Sequence, residues 1–512
     1  MGLFRSLSVV SFFTLLSRVL GLAREMILAS KFGATASTDA LFVAFRIPNL
    51  LRRLFAEGAF AQAFVPILTQ FKEKEGEERA KLLIAHIASI LSIALLLISI
   101  AGVVFAPYLI YVVATGFSES SGQAQLTTDL LRLTFPYILF ISLTSFGTSI
   151  LNTWGRFAVP ALTPALLNVS FILCALYLTP YVNPPIIALG VAIIIGGVAQ
   201  LSFQIPFLIK LGLMPRLRWN PSDPGVLQTL RRMGPAIVGV SAAQISLLIS
   251  TNIASRLQAG SVSWLHYADR LMELPVGLLG VAMGTVILPA LSVSVAKEDT
   301  GDYEKTLGWG IRLMLVVALP SVLGLVILAD PILMALFLRD EFSYEDLKMT
   351  KMAFWAYGLG LLPIIFVKLF ASVFYAHQDM KTPVKMAIRA IVFTQLINLL
   401  VWFVFPYEIR HAGLALAISC GAWLNVLLLA VAMKKHGFLV PTKYWGTLAK
   451  SVLASGFMMS LVLIVSTTQI NWIEETFFSR LTYLGLLILF GLTIYLFGLR
   501  LLGHKIKALI KA

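Results

Sequence analysis

The chain has 512 residues, 58% of them hydrophobic and only 13% charged, with a net charge of +15 and a mean hydropathy of +0.88. Soluble domains carry about 25% charged residues, so the composition excludes a soluble globular protein and calls for an integral membrane one. The two cysteines, Cys174 and Cys420, both sit inside apolar runs and exclude a disulfide framework or a CxxC metal site.

In chain order, apolar windows of about 20 residues predict membrane helices near 6–28, 38–66, 82–112, 128–152, 158–179, 186–209, 233–255, 264–292, 307–328, 350–374, 384–405, 412–433, 447–468 and 481–503. The predicted fold class is therefore an all-α integral membrane protein with fourteen transmembrane helices. The first window carries Arg18 and Arg24 inside its apolar run. A signal peptide puts its charges before that run, so the window reads as the first membrane helix.

An even number of helices puts both termini on one side, and the loop charges choose the side. With the termini inside, inner segments hold 22 Lys and Arg residues and outer segments 7. The sequence therefore predicts cytoplasmic termini, and the basic excess reads as topological rather than as a nucleic-acid surface.

Two proline pairs, Pro48 with Pro275 and Pro136 with Pro363, share an offset of 227 residues. This predicts that the second and fourth helices of each half are broken at matching points. The expected organisation is two six-helix lobes in parallel repeat, 1–210 and 211–436, followed by a helix pair over 437–512. Parallel repeats about an axis normal to the membrane suit alternating access. From Trp445 to Gly503 the pair holds no proline, and Lys450 is its one expected buried charge. It reads as a packing appendage or a lipid-facing groove.

Charge inside the apolar windows carries the functional signal, because a charge at the bilayer centre costs roughly 2.5–3.5 kcal/mol on insertion scales. The segment DALFVAFRIPNLLRRLFAEGAFAQAFVP, 39–66, holds Asp39, Arg46, Arg52, Arg53 and Glu57. Arg53 and Glu57 stand at the spacing of a local ion pair, whereas Arg52 near the window's midpoint has only Asn49 on its face. Asp39 reads either as the N-cap of its own helix or as an outer gate. In the first window, Ser17 shares a face with Arg24, and Arg18 shares one with Glu25, a candidate structural pair. The eighth window contributes Asp269, Arg270 and Glu273 just before Pro275, and Lys368 is isolated in the tenth, either snorkelling or lining the cavity.

Five arginines (Arg18, Arg24, Arg52, Arg53, Arg270) thus stand against five carboxylates (Glu25, Asp39, Glu57, Asp269, Glu273). The formal sum is zero, but the identity of the cations points to an anion: a planar guanidinium holds phosphate oxygens bidentately and keeps its charge when desolvated. No GxxxxGK[ST], HExxH or GxSxG motif is present, and a membrane enzyme is disfavoured. From the residues alone, an exporter of another lipid-linked oligosaccharide or of a drug-like substrate stays open, as does a non-transporting scaffold.

The strings SRVLGLARE, TDALFVAFRIPNLLRRLFAEGAFAQAFVP, SVSWLHYADRLMELPVGLLGVAMGTVILP and QDMKTPVK resemble the MurJ (MviN) family of lipid II flippases, within the multidrug/oligosaccharidyl-lipid/polysaccharide exporter superfamily. The resemblance runs collinearly over nearly the whole chain. It implies a bacterial inner-membrane protein that moves undecaprenyl-pyrophosphate-linked peptidoglycan precursor, lipid II, from the cytoplasmic to the periplasmic leaflet. It also implies a cationic cavity between two lobes and a groove for the lipid tail beside the last two helices. Arg18, Arg24, Arg52 and Arg270 match its functional positions and are the expected substrate-binding residues; Asp39 matches an acidic one. Ser17, Asn49, Arg53, Glu57, Ser263 and Asp269 match further polar or gating positions. Some members use a sodium site between later helices; here those helices offer Thr394 and Asn398 without a carboxylate, so no metal or other cofactor is expected and membrane potential is the alternative drive. The expected partners are lipid II and membrane lipids, with other cell-wall synthesis proteins open and nucleic acid excluded.

Overall fold

The structure is a computed structural model that describes residues 3–53, 59–119, 122–438, 445–468 and 470–503. Glu57 of the expected cavity set, and Lys443, Lys505, Lys507 and Lys511 of the inner-side charges, lie outside the described residues. Every regular element among the described residues is helical. Ten helical segments there are long and apolar enough to cross a membrane.

The chain divides into two compact units, Met1–Ser263 and Trp264–Ala512. The first contains α1 (Leu3–Phe32), α2 (Ala36–Leu51), α3 (Ala59–Glu75), α4 (Glu77–Val104), α5 (Ala106–Val113), α6 (Gln123–Thr134), α7 (Tyr137–Thr153), α8 (Ala158–Leu173), α9 (Ile187–Lys210), α10 (Pro224–Ser255) and the start of α11 (Ser261–Ala282). The second contains the rest of α11, then α12 (Leu288–Ala296), α13 (Thr300–Ile327), α14 (Ala329–Leu336), α15 (Tyr344–Ala376), α16 (Lys381–Val404), α17 (Arg410–Lys435), α18 (Trp445–Thr468) and α19 (Phe477–Leu501).

The apolar windows locate the helices but not their ends. Charged turns extend them: α4 begins with Glu77 and Glu78, and α13 is capped by Asp299, whose side chain accepts from the Asp302 N–H. Four windows fall outside the ten apolar spans. They coincide with α1, α2 with α3, α10, and α11 with α12, among them the segments carrying Arg18, Arg24, Arg52 and Arg270.

Of the four repeat-defining prolines, only Pro136 coincides with a helix boundary, between α6 and α7. Pro48, Pro275 and Pro363 lie inside α2, α11 and α15, which run on past them. A proline deletes one helical hydrogen bond, and packed neighbours in a membrane protein let the helix tolerate that loss. Past Pro275 the irregularity comes later, as a π-helical turn over Met283–Ile287.

Apolar burial gives little drive between helices surrounded by lipid, so close packing and interhelical hydrogen bonds must hold them. In the first unit, Phe60 and Phe64 of α3 stack at 5.0 Å, and Phe64 meets Phe146 of α7 at 5.2 Å, in a cluster with Leu83 and Ile87 of α4. Gly225, at the start of α10, packs tightly: a Cβ there would lie 2.7 Å from the end of the Leu83 side chain and 2.9 Å from that of Phe71, and both would have to shift.

In the second unit, α15 lies along α17. Ser419 Oγ donates to the Ala356 carbonyl at 2.6 Å, and Trp423 Nε1 to that of Leu359 at 3.0 Å. The α18–α19 hairpin is fastened to α13 by Tyr495, whose hydroxyl donates to the Val316 carbonyl at 2.7 Å. Arg480, expected in an outer loop, instead belongs to α19 and is buried, so Lys450 is not the pair's only candidate for a buried charge. Its guanidinium is tolerated there because Nη1 donates to the Leu338 carbonyl at 2.8 Å and to Met334 at 3.3 Å, and Nη2 to Ile473 at 2.9 Å.

Candidate functional site

Ser17 and Arg24 are seven positions apart on α1, so they share one side of that helix. There Asn168 links them: Arg24 Nη1 donates to Asn168 Oδ1 at 3.1 Å, and Asn168 Nδ2 donates to the Ser17 carbonyl at 3.0 Å. The guanidinium also lies over the Phe171 ring, 5.1 Å from its centroid. The other edge of the Arg24 fork pairs with the buried Glu25 carboxylate. Glu25 is therefore not the partner of Arg18. Neighbouring side chains diverge on a helix, but the long arginine stem, held on the α8 side by Asn168 and Phe171, folds back across its own turn. Arg18 is half-buried and makes no hydrogen bond or ion pair among the described residues.

Arg52, the C-cap of α2, donates through Nε to Asn49 Oδ1 at 2.9 Å, three residues back. Arg53 is half-buried, and its expected partner Glu57 lies outside the described residues. Arg46 donates through Nη1 to the hydroxyl of Thr251 on α10, which in turn donates to the Leu247 carbonyl at 2.6 Å.

Asp39 is not the cap of its own helix. Thr35 holds that position in a capping box with Thr38. Asp39 instead caps α11: its carboxylate accepts the Gly260 N–H at 2.7 Å, the Ser263 N–H at 2.7 Å and the Ser263 hydroxyl at 2.6 Å. Gly260 just precedes the helix and has no side chain to offer; its φ of 95° lies in the left-handed region that glycine favours. A carboxylate from α2 thus satisfies N–H groups that the helix start leaves open.

In the second unit, Arg270 Nη1 pairs with Glu273 at 2.8 Å, as the three-residue spacing allows. Asp269 on the same helix is exposed. Lys368 is exposed and donates to the Val276 carbonyl at 3.2 Å, one residue past Pro275.

A second ionic cluster escapes sequence reasoning altogether. Asp223, buried at the N-cap of α10, accepts from Arg79 Nη1 at 2.8 Å, contacts His86 Nδ1 at 3.1 Å and accepts the Gly225 N–H at 2.8 Å. Burial alone would raise the Asp223 carboxyl, but the Arg79 guanidinium and the Gly225 N–H outweigh it and hold the group below its ordinary value. The only trace in the sequence is an aspartate before a proline, SDPG, a common helix start.

A sequence model of the family described as lipid II flippase MurJ matches residues 28–483. The chain is 48% identical over 450 residues to a lipid II flippase MurJ of Burkholderia cenocepacia, covering 87% of this chain and 86% of that one. The chain belongs to the MurJ lipid II flippase family. A family relative from Vibrio cholerae, named a probable lipid II flippase MurJ, is 40% identical, covering 99% of this chain and 97% of its own. A solved MurJ structure in an inward closed conformation superposes with a TM-score of 0.78 at 27% identity, over 96% of this chain and 97% of that one. An inward-facing multidrug resistance transporter of the MATE family superposes with a TM-score of 0.69 over 85% of this chain and 99% of that one. At 13% identity, that likeness speaks to the fold alone. Membership in MurJ makes the chain a multi-pass membrane protein of the transporter kind.

Proposed function

We propose that this chain is a lipid II flippase of the bacterial inner membrane. It carries the undecaprenyl-pyrophosphate-linked peptidoglycan precursor from the cytoplasmic to the periplasmic leaflet by alternating access. The observation that carries the reading is full-length similarity to flippases, at 40% identity over 99% of the chain for one relative, with arginines set in helices otherwise suited to a bilayer.

The chemistry assigns the parts. Arg18, Arg24, Arg52 and Arg270 bind the pyrophosphate, whose oxygens match the guanidinium fork. Carboxylates such as Glu25 and Glu273 hold the forks in place when the site is empty, and their hold weakens as phosphate takes over the donors. Phosphate then screens the repulsion among the arginines, the lobes close, and outward opening releases the headgroup. Ser17, Asn49, Arg53, Glu57 and Asp269 line the polar path, and Asp39 with Ser263 works as an outer gate. Fourteen spans with cytoplasmic termini complete the topology, and the α18–α19 pair offers a groove for the lipid tail. An inside-negative potential would bias an empty cationic site inward by about 2.3 kcal/mol per charge per 100 mV.

The test is complementation of flippase-depleted cells by Arg52→Ala and Arg52→Lys, with membrane abundance checked and lipid II exposure measured at the outer leaflet. Both variants are expected to be made at normal levels and to fail, because lysine keeps the charge but loses the fork. Normal growth and exposure with Arg52→Ala would overturn the placement of the substrate site.

A further inference from the structure

Asn168 lies on α8, far in sequence from the charged segments. It nonetheless bonds to two of the expected cavity residues, the Ser17 carbonyl and the Arg24 guanidinium. We propose that Asn168 is a positioning residue: it sets the Arg24 guanidinium for the anionic headgroup without touching the ligand itself. The proposal rests on the reading of Arg24 as a substrate-binding residue.

The orientation of the amide follows from chemistry. The Ser17 carbonyl can only accept, so the Asn168 NH₂ must face it, and the Asn168 oxygen is left for the Arg24 N–H. Because Asn168 is only 8% exposed, a reversed amide would set its oxygen against the carbonyl oxygen and its NH₂ against the guanidinium, with little water to compensate. The Ser17 backbone therefore dictates which atom meets Arg24. Asn168 on one Nη, Glu25 on the other and the Phe171 ring beneath fix both the plane and the rotation of the fork. The remaining N–H donors are then set for an anion before it arrives, which limits the ordering cost of binding.

An amide serves this purpose better than a carboxylate. Glu25 already contributes one negative charge at the fork. An aspartate at 168 would still accept from Arg24. It would also present oxygen to the Ser17 carbonyl and add a second negative charge to compete with phosphate. Asn168→Asp should thus keep an acceptor for Arg24 while weakening the ligand.

The experiment measures lipid II binding to the purified full-length protein in nanodiscs for the parent, Asn168→Leu, Asn168→Asp, Arg24→Ala and the double variant Asn168→Leu/Arg24→Ala, with thermal unfolding recorded for each. Asn168→Leu and Asn168→Asp should each weaken binding about ten-fold, the effect of one hydrogen bond to a charged group. Asn168→Leu should weaken it no further once Arg24 is alanine. If Asn168→Leu unfolds, Asn168→Asp, nearly identical in shape, decides: parent-like affinity in that variant overturns the proposal. Additive losses in the double variant also overturn it, because the asparagine would then act independently of Arg24. If Arg24→Ala itself binds like the parent, the functional reading of Arg24 fails first. If only the Asn168 variants bind normally, that reading stands and this inference alone falls.

Discussion

One oxygen of the Asp39 carboxylate receives both the backbone N–H and the hydroxyl of Ser263, at 2.7 and 2.6 Å, although 224 residues separate the two. The other oxygen takes the Gly260 N–H. All three donors belong to the first turn of α11 or the residue before it, so one buried carboxylate supplies the cap that a glycine cannot.

Removing that cap should loosen the start of α11. Hydrogen bonds to a charged group contribute about 1.5–3 kcal/mol each, so Asp39→Ala is expected to cost at least one such bond and to expose the turn. Asp39→Asn should be nearly as damaging, because its NH₂ would confront a backbone donor. Hydrogen exchange over 257–268 reads this directly. Faster exchange in both variants is the expected result, and parent-like protection in Asp39→Ala would show that the turn holds without its cap.

The cluster around Asp223 predicts an acid-labile anchor for the start of α10. The native carboxyl sits below its ordinary value of 3.8. Its stabilising contribution is therefore complete above that value and is lost as pH falls through the lower native one. The two ends of the pair should differ on truncation. Arg79→Ala takes the guanidinium from a buried carboxylate and leaves it only His86 and the Gly225 N–H, at a cost of about 1.5–3 kcal/mol. Asp223→Ala leaves Arg79 beside Glu75 at 3.4 Å and loses mainly the N-cap, about 1 kcal/mol. Thermal unfolding from pH 3 to 7 should show the larger loss for Arg79→Ala near neutrality. The share of the parent's acid destabilisation that comes from Asp223 should be absent in Asp223→Ala. Equal losses, or an unchanged pH profile in Asp223→Ala, would refute the account.

Arg480 predicts that the hairpin of α18 and α19 depends on a geometry that only a guanidinium satisfies. Its two Nη atoms reach carbonyls of Met334, Leu338 and Ile473 in three directions. A lysine has one nitrogen on a flexible stem and cannot span them. Arg480→Lys should therefore destabilise the protein by about 1–3 kcal/mol, close to the effect of Arg480→Met. Proteolysis in the 469–476 connection, compared between parent and variants, provides the check. A fully parent-like Arg480→Lys would mean that charge alone suffices.

Much of the molecule was legible before any coordinates. Helices follow from apolar length, because a bilayer-spanning segment must satisfy its own backbone. Arg18, Arg24, Arg52 and Arg270 stand out because a charge is costly in such a run. The three-residue spacing of Arg270 and Glu273 also allowed their pair, and it put Asn49 on the face of Arg52 without naming it as a bonded partner, although the two are joined.

What escaped has one physical cause: its partners are distant in sequence. Asn168 reaches Arg24 across 144 positions, Thr251 reaches Arg46 across 205, and Asp223 reaches His86 across 137. None of these polar residues is unusual where it stands, and helical periodicity says nothing about which helix packs against which face. The same limit made Arg18 the candidate partner of Glu25 and left Asp39 open between a cap of its own helix and an outer gate, since local spacing offers only local partners. Sequence by itself determined that this chain crosses a membrane and that arginines interrupt several of its apolar windows. Only the packing of α1 against α8, and of α2 beside the start of α11, decided which groups hold those side chains in place.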